Sequence, residues 1–195
     1  MKIKSVTAEN KRRYLEMTSK EIPAIVIIVV LLSFFGVMAF AAQDRFELKA
    51  PNGVAFSEIR GYETWQVIAP SYDNDDLKAI LGNPLMINAY KEGIPGNGKP
   101  FPEGSIIVEI SWHKRTTAPL PTATEPDTLD SVQLIVKDSE RFLDTSGWGY
   151  GKFLYDAASD TFKPFGGDSS FAKQCYQCHT LVKAKDYIFT GYPRR

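Results

Sequence analysis

The sequence predicts an α+β domain built mainly on an antiparallel β-sheet with a few helices, preceded by one N-terminal transmembrane helix. Short β-rich segments bounded by turn residues and the lack of strand–helix–strand alternation argue against a doubly wound sheet. An uncharged apolar segment precedes them. The chain therefore divides into a cytoplasmic basic segment 1–21, a transmembrane anchor or signal sequence 22–42, a tether 43–55 and a globular domain 56–195.

The apolar segment Ile22–Ala42 predicts export of everything that follows it. As a helix it would be about 31 Å long, which matches a hydrocarbon core of about 30 Å. Residues 1–21 hold six basic and three acidic side chains, so they are predicted to stay cytoplasmic. We expect a single-pass protein on the periplasmic side of the bacterial inner membrane. The alternative is a cleaved signal and a soluble periplasmic protein, because Ala39-Phe40-Ala41 fits a signal-peptidase site.

The first elements of the exported domain are predicted from β-rich content and capping signals. Aromatic and β-branched residues predict a strand over Tyr62–Ala69, which Pro70 ends. A short helix capped by Asp73 is expected to run through Leu81. A second helix is predicted to begin at Pro84 behind the N-cap residue Asn83.

Further strands are predicted over Ser105–Trp112, Val132–Val136 and Trp148–Tyr155. The Pro/Thr-rich segment Arg115–Asp130 lacks periodicity and is expected to be a loop. Asp168 is a candidate cap for a last helix, which would carry both cysteines of the chain.

Charge and cysteine content exclude two classes of protein. The chain has a formal net charge of +0, and residues 43–195 carry 17 basic and 20 acidic groups, a net charge of −3. This balance does not fit a nucleic-acid partner. Two cysteines cannot form a multiply cross-linked disulfide scaffold.

The motif that carries chemistry is Cys175-Tyr176-Gln177-Cys178-His179, the C-x-x-C-H pattern of c-type haem attachment. Two thiols three residues apart can each add to a vinyl group of one porphyrin, and the adjacent imidazole can bind its iron. The sequence therefore predicts one covalently attached haem c, bound through Cys175 and Cys178, with His179 as axial ligand of the iron.

Two other interpretations of the motif fit this sequence less well. A structural zinc site needs four Cys or His ligands, and only His113 remains outside the motif, 62 residues before Cys175. A thioredoxin-like redox site needs a preceding strand in a βαβ fold, whereas this motif lies near the C-terminus.

The candidates for a sixth ligand of the iron are few. In the exported part, Met86 and His113 are the only methionine and the only histidine outside the motif. Met86 falls within a predicted helix among apolar residues, where filling the core is expected. His113 follows a predicted strand beside basic residues and is expected to be exposed. We therefore predict five-coordinate iron that is open to small ligands.

The C-terminal part of the chain resembles the cytochrome P-460 family and its relatives, the cytochromes c′-β. The residues that carry the resemblance are Phe101–Val108, Val136-Lys137-Asp138, Arg141-Phe142, Gly147-Trp148, Cys175–His179, Phe189-Thr190 and Tyr192-Pro193. The resemblance covers roughly Phe56 to Arg195. It implies an antiparallel-sheet fold, a homodimer, and a single c-type haem with an open distal side.

The resemblance also gives the choice of function. Cytochromes P-460 oxidise hydroxylamine and carry a lysine cross-linked to the porphyrin, whereas the c′-β proteins lack that bond and bind nitric oxide or carbon monoxide. Aligned by eye, Glu109 occupies the lysine position, and Gln133 lies near a distal acidic residue. Both are therefore candidate residues of the distal pocket. The expected function is nitric oxide binding, with hydroxylamine oxidation or electron transfer to a redox partner as alternatives.

Overall fold

The computed structural model describes residues 43–194, which form one six-stranded antiparallel sheet and two α-helices. In chain order the elements are β1 Gln66–Asp73, β2 Asp76–Gly82, α1 Pro84–Lys91, β3 Ile106–Thr117, β4 Leu120–Lys137, β5 Trp148–Asp156, β6 Thr161–Pro164 and α2 Ser170–His179. The strands lie in the sheet in the order β1 to β6, so each pairs with the next along the chain. This architecture confirms the predicted antiparallel α+β fold.

The first strand is shifted from its predicted position. Tyr62–Thr64 forms a 3₁₀ turn, and β1 begins at Gln66 and continues past Pro70. Because β1 is an edge strand that pairs only with β2, it tolerates a proline, which cannot donate to a ladder. The prediction that Pro70 ends the strand was therefore wrong.

The helix predicted over Asp73–Leu81 was also wrong, because this segment contains strand β2. Asn74 and Asp75 adopt left-handed conformations, with φ of 47° and 69°. Two consecutive left-handed residues form the tight turn that suits a two-residue β-hairpin. Asp73 consequently pairs with Asp76 across a hairpin instead of capping a helix.

The segment Arg115–Asp130, predicted to be a loop, is instead the outer part of a long hairpin. β3 and β4 extend beyond their other neighbours, with Arg115 paired to Glu125 and Thr116 to Thr124. The Nη2 of Arg115 and Oε1 of Glu125 lie 2.9 Å apart. The β-branched threonines favour strand conformation, and the pairing supplies the backbone hydrogen bonds that a loop would leave to water.

The N-cap predicted for α1 is confirmed, whereas the N-cap of α2 is Ser169 and not the predicted Asp168. The side chain of Asn83 accepts a hydrogen bond from the amide of Met86 at 2.9 Å, as predicted for the N-cap of α1. Asp168 accepts one from the amide of Ser170, the first residue of α2, at 2.8 Å. The short strand β6 was not predicted.

Each face of the sheet has its own apolar core. We call one the closed face; its fully buried residues include Val54, Phe56, Ile59, Val108, Val132 and Phe153. We call the other the cavity face; its buried residues include Ile68, Met86, Phe101, Ile107, Trp148, Tyr150 and Ile188. Segments before β1 cover the closed face, whereas α1, α2 and the chain after α2 cover the cavity face.

The predicted transmembrane segment 22–42 lies outside the described residues. Between residues 43 and 194, no helix has the length and apolar character needed to cross a membrane.

Candidate functional site

Helix α2 brings Cys175 and His179 of the Cys-x-x-Cys-His motif to the cavity face. Ala172, one turn before the motif, is buried in the core of that face and anchors the helix. Cys175 is half-buried, and its burial raises the pKa of the thiol to about 11. Cys178 is exposed, and neither thiol forms a disulfide. The motif thus presents one cysteine towards the interior and the other towards the surface.

The imidazole of His179 is held in a fixed orientation. Its Nδ1 lies 2.5 Å from the carbonyl oxygen of Tyr187, and the rings of Tyr150 and Phe189 lie 5.0 Å from it, centroid to centroid. A hydrogen bond from Nδ1 to a carbonyl leaves Nε2 available as a metal ligand. Burial lowers the pKa of His179, which favours the neutral form that binds metals.

A buried ion pair supports the segment that carries this carbonyl. Asp186 and Tyr187 have φ of 49° and 65°, left-handed conformations that are uncommon for residues other than glycine. The Nζ of Lys137 lies 3.2 Å from Oδ1 of Asp186, and the amide of Phe101 donates to Oδ2 at 2.8 Å. The indole of Trp148 also donates to Oδ1, at 3.4 Å.

A cavity of about 350 Å³ lies beside the motif, between the cavity face of the sheet and the chain after α2. Isoleucines from β2, β3, β4 and the C-terminal segment form its apolar wall, together with Phe171 and Phe189. Its polar lining consists of Ser71, Asp73, Lys78, Glu109, Gln133, Tyr150, Cys175, His179 and Thr190. Cys175, His179 and both candidate distal residues therefore border the same space.

Glu109 and Gln133 are cross-strand neighbours on β3 and β4. The amide of Gln133 donates to Oε1 of Glu109 at 2.8 Å, and the Nζ of Lys78 lies 3.4 Å from the same oxygen. Lys78 also contacts the carboxylate of Asp73. Burial alone would lower the pKa of Lys78, but hydrogen bonds and charge from Asp73 and Glu109 outweigh it and raise that pKa.

Neither candidate for a sixth ligand lines this cavity. Met86 is fully buried in α1, within the core of the cavity face. His113 is exposed, with its Nδ1 3.0 Å from Oδ1 of Asp76. Of the residues that line the cavity, His179 is the sole histidine and none is methionine.

Two parts of this site were not predicted from the sequence. Lys78 was assigned to a helix, so its place beside Glu109 could not be seen. Lys137 was noted within a family segment, but its ion pair with Asp186 joins positions 49 residues apart. Only the register of β2 against β3 shows that Lys78 lies beside Glu109.

The residues at the cavity fit a haem c. Two thiols and a neutral imidazole, one turn apart on a single helix, are the donor set that this cofactor uses. The Tyr150 hydroxyl is buried with no hydrogen-bond partner among the described residues, and burial raises its pKa. An unpartnered buried hydroxyl is uncommon and marks a surface for a bound group. Among residues 43–194, no cluster of three or more His, Cys, Asp or Glu side chains could hold a metal ion alone.

This combination of an antiparallel sheet, a cavity and a Cys-x-x-Cys-His helix is that of a c-type haem protein. The sequence profile of the family described as Cytochrome P460 matches residues 59–190, well over half of the 195-residue chain. The chain therefore belongs to the cytochrome P460 family, as predicted, and the family implies a haem c cofactor. No curated protein matches the chain.

Proposed function

We propose that this chain is an exported, membrane-anchored monohaem c-type cytochrome that binds small nitrogen-oxide ligands such as nitric oxide. The observation that carries the proposal is the lining of the cavity, where His179 is the sole histidine and no methionine is present. A second protein ligand would close the iron to other molecules. The lack of a second histidine and of a methionine in this lining supports an iron that is open on one side.

Three side chains would hold the cofactor. The thiols of Cys175 and Cys178 would each add across one vinyl double bond, the sulfur bonding to carbon and the thiol proton going to the other carbon. The Nε2 of His179 would be the axial ligand, oriented by the bond from Nδ1 to the Tyr187 carbonyl. When bound, haem c supplies an iron centre that takes diatomic ligands such as nitric oxide or carbon monoxide.

Hydroxylamine oxidation is the second candidate function, since it is a known activity of cytochromes P-460 and Glu109 borders the cavity. A carboxylate cannot form the lysine–porphyrin bond that marks those proteins, but it can accept a proton from a bound molecule. Electron transfer to a redox partner is a third candidate. The lining of the cavity favours ligand binding over electron transfer, because it contains neither a second histidine nor a methionine.

The proposal includes a location and an assembly state. Residues 1–42, with their basic start and uncharged apolar segment, support anchoring in the inner membrane with the domain in the periplasm. The family resemblance supports a homodimer.

The test is haem attachment in protein matured in a bacterial periplasm. We expect one thioether-bound haem per chain in a pyridine haemochrome assay, and none in the Cys175→Ala/Cys178→Ala variant. Gln177→Ala, at an exposed position inside the motif, is the matched control and should retain the haem. Covalent haem in the double variant, or its absence from the parent protein, would refute the proposal.

The spectrum then separates the candidate functions. Ferrous protein should bind nitric oxide and carbon monoxide with a clear change in its absorption bands. Steady oxidation of hydroxylamine with an artificial acceptor, lost in Glu109→Gln, would instead favour the enzyme.

A further inference from the structure

Four strands contribute to a polar network on the cavity wall, and the expected functions account for Glu109 and Gln133 but not for the charges around them. Lys78 on β2 contacts Asp73 on β1, and its Nζ lies 3.4 Å from Oε1 of Glu109 on β3. Gln133 on β4 donates to the same oxygen at 2.8 Å. All four residues line the cavity beside the haem motif. The network is therefore part of the surface that a ligand would meet.

The charges of this network do not cancel. It contains two carboxylates and one ammonium group, which gives a net charge of −1. The Lys78 side chain is 13% exposed and that of Glu109 25%, whereas Asp73 is 56% exposed at the rim. The inner pair is thus the better shielded from water.

Lys78 is the only lysine or arginine among the residues that line the cavity. The charge of Lys152 on β5 also acts on the Cys175 thiol at the cavity, but Lys152 is itself paired with a carboxylate, its Nζ lying 3.9 Å from Oδ2 of Asp130. A ligand inside would therefore experience the excess negative charge of the Asp73–Lys78–Glu109 group.

The apolar surroundings strengthen this effect. Ile80 and Ile107 flank Glu109 on the sheet, and Ile188 also lines the cavity. Charges interact more strongly where apolar groups replace water. Both contacts to Glu109 reach Oε1, and no described residue donates to Oε2, so one carboxylate oxygen remains as a hydrogen-bond acceptor.

We infer that this network makes the cavity selective by charge: it excludes anionic ligands and admits small neutral molecules. Glu109 supplies the repelling charge, and Lys78 holds it in place and partly compensates it. The inference rests on the proposed function, since the ligands in question are those that would bind beside His179.

The test compares an anion with a neutral molecule as ligands of the ferric protein. Azide and imidazole are the probes, and their dissociation constants follow from spectroscopic titration at a mildly alkaline pH, where imidazole is mostly neutral. Glu109→Gln removes the charge but keeps the shape, so we expect azide to bind about tenfold more tightly. Lys78→Met leaves both carboxylates uncompensated and should weaken azide binding by a similar factor. Imidazole affinity should change less than twofold in both.

Two further variants complete the test. Lys114→Met removes an exposed lysine that is paired with Asp75 outside the cavity, and it should leave azide affinity unchanged. Asp73→Asn, at the exposed rim, should tighten azide binding less than Glu109→Gln does. It serves as a second charge variant should Lys78→Met fail to fold.

Equal azide affinity in parent, Glu109→Gln and Asp73→Asn proteins would overturn the inference. So would imidazole affinities that shift as much as those of azide, since charge would then not be the cause. Each protein is first assayed for thioether-bound haem. Its absence from the parent refutes the proposed function, which is distinguishable from a failure of charge selectivity in haem-loaded protein.

Discussion

The two faces of the sheet are built from the same six strands but have opposite character. On the closed face, Phe56 is fully buried and packs against four aromatic rings, with Phe153 and Phe162 at centroid distances of 5.0 and 5.2 Å. On the cavity face, the wall contains carboxylates and an ammonium group, and the buried Tyr150 hydroxyl has no described partner.

The closed face therefore mainly stabilises the fold, whereas the cavity face carries the residues of the candidate site. An apolar aromatic cluster stabilises the fold through burial and ring contacts. Buried polar groups and an open cavity contribute less to stability, because desolvation opposes their interactions. Because successive side chains along a strand point to opposite faces, the same strands can form an apolar core on one face and a polar cavity on the other. We expect substitutions on the two faces to have different consequences.

The largest change in stability should come from Phe56→Ala on the closed face. Removing a fully buried ring from among four aromatic neighbours should lower the free energy of unfolding by about 4 kcal/mol. The free energy of unfolding is measured by denaturant titration, with circular dichroism as the probe. Leu143→Ala, at a side chain that is 79% exposed, is the control and should have little effect. A loss below about 1 kcal/mol would show that the closed face does not dominate stability.

A somewhat smaller loss is expected from Lys137→Met, beneath the cavity face. The variant leaves the Asp186 carboxylate buried without its cation, which should cost about 3 kcal/mol. Unlike the first substitution, it should also shift the reduction potential of the haem-loaded protein, since Asp186 adjoins the Tyr187 carbonyl that orients His179. Lys173→Met, at an exposed lysine, is the control. An unchanged potential would limit the ion pair to a structural role.

The smallest effect is expected from the two residues that might have been iron ligands. Met86→Leu and His113→Ala should leave the ferrous absorption spectrum unchanged, because neither residue lines the cavity. Met86→Leu conserves core volume, so it should also retain most of the stability. Loss of a low-spin spectrum in either variant would show that the cavity is closed by a protein ligand.

Local signals in the sequence were sufficient where local interactions decide the structure. The start of α1 was predicted from Asn83 and Pro84, whose roles depend on residues within one turn. The Cys-x-x-Cys-His motif likewise holds its chemistry within five residues. The antiparallel architecture followed from short strands and the absence of crossover helices.

Pairing between strands could not be predicted in the same way. Strand β2 contains Leu, Lys and Ala, which favour a helix, and only the left-handed turn at Asn74 and Asp75 and the pairing with β1 and β3 make it a strand. This error concealed Lys78, whose function depends on the register between β2 and β3. The site was therefore predictable at its motif and, through the family resemblance, at Glu109 and Gln133, but not at Lys78.

The long hairpin of β3 and β4 has a consequence for how the domain opens. β2 pairs with β3 only as far as His113, and β5 pairs with β4 only from Ser131. Residues 114–117 and 120–126 therefore pair solely with one another. None of them is buried. A ribbon of this kind can unzip while both cores stay intact, so its amide protons should exchange with solvent long before those of the central strands. The tip is thus the natural place to insert a tag or a foreign peptide without disturbing the chemistry at the other end of the strands.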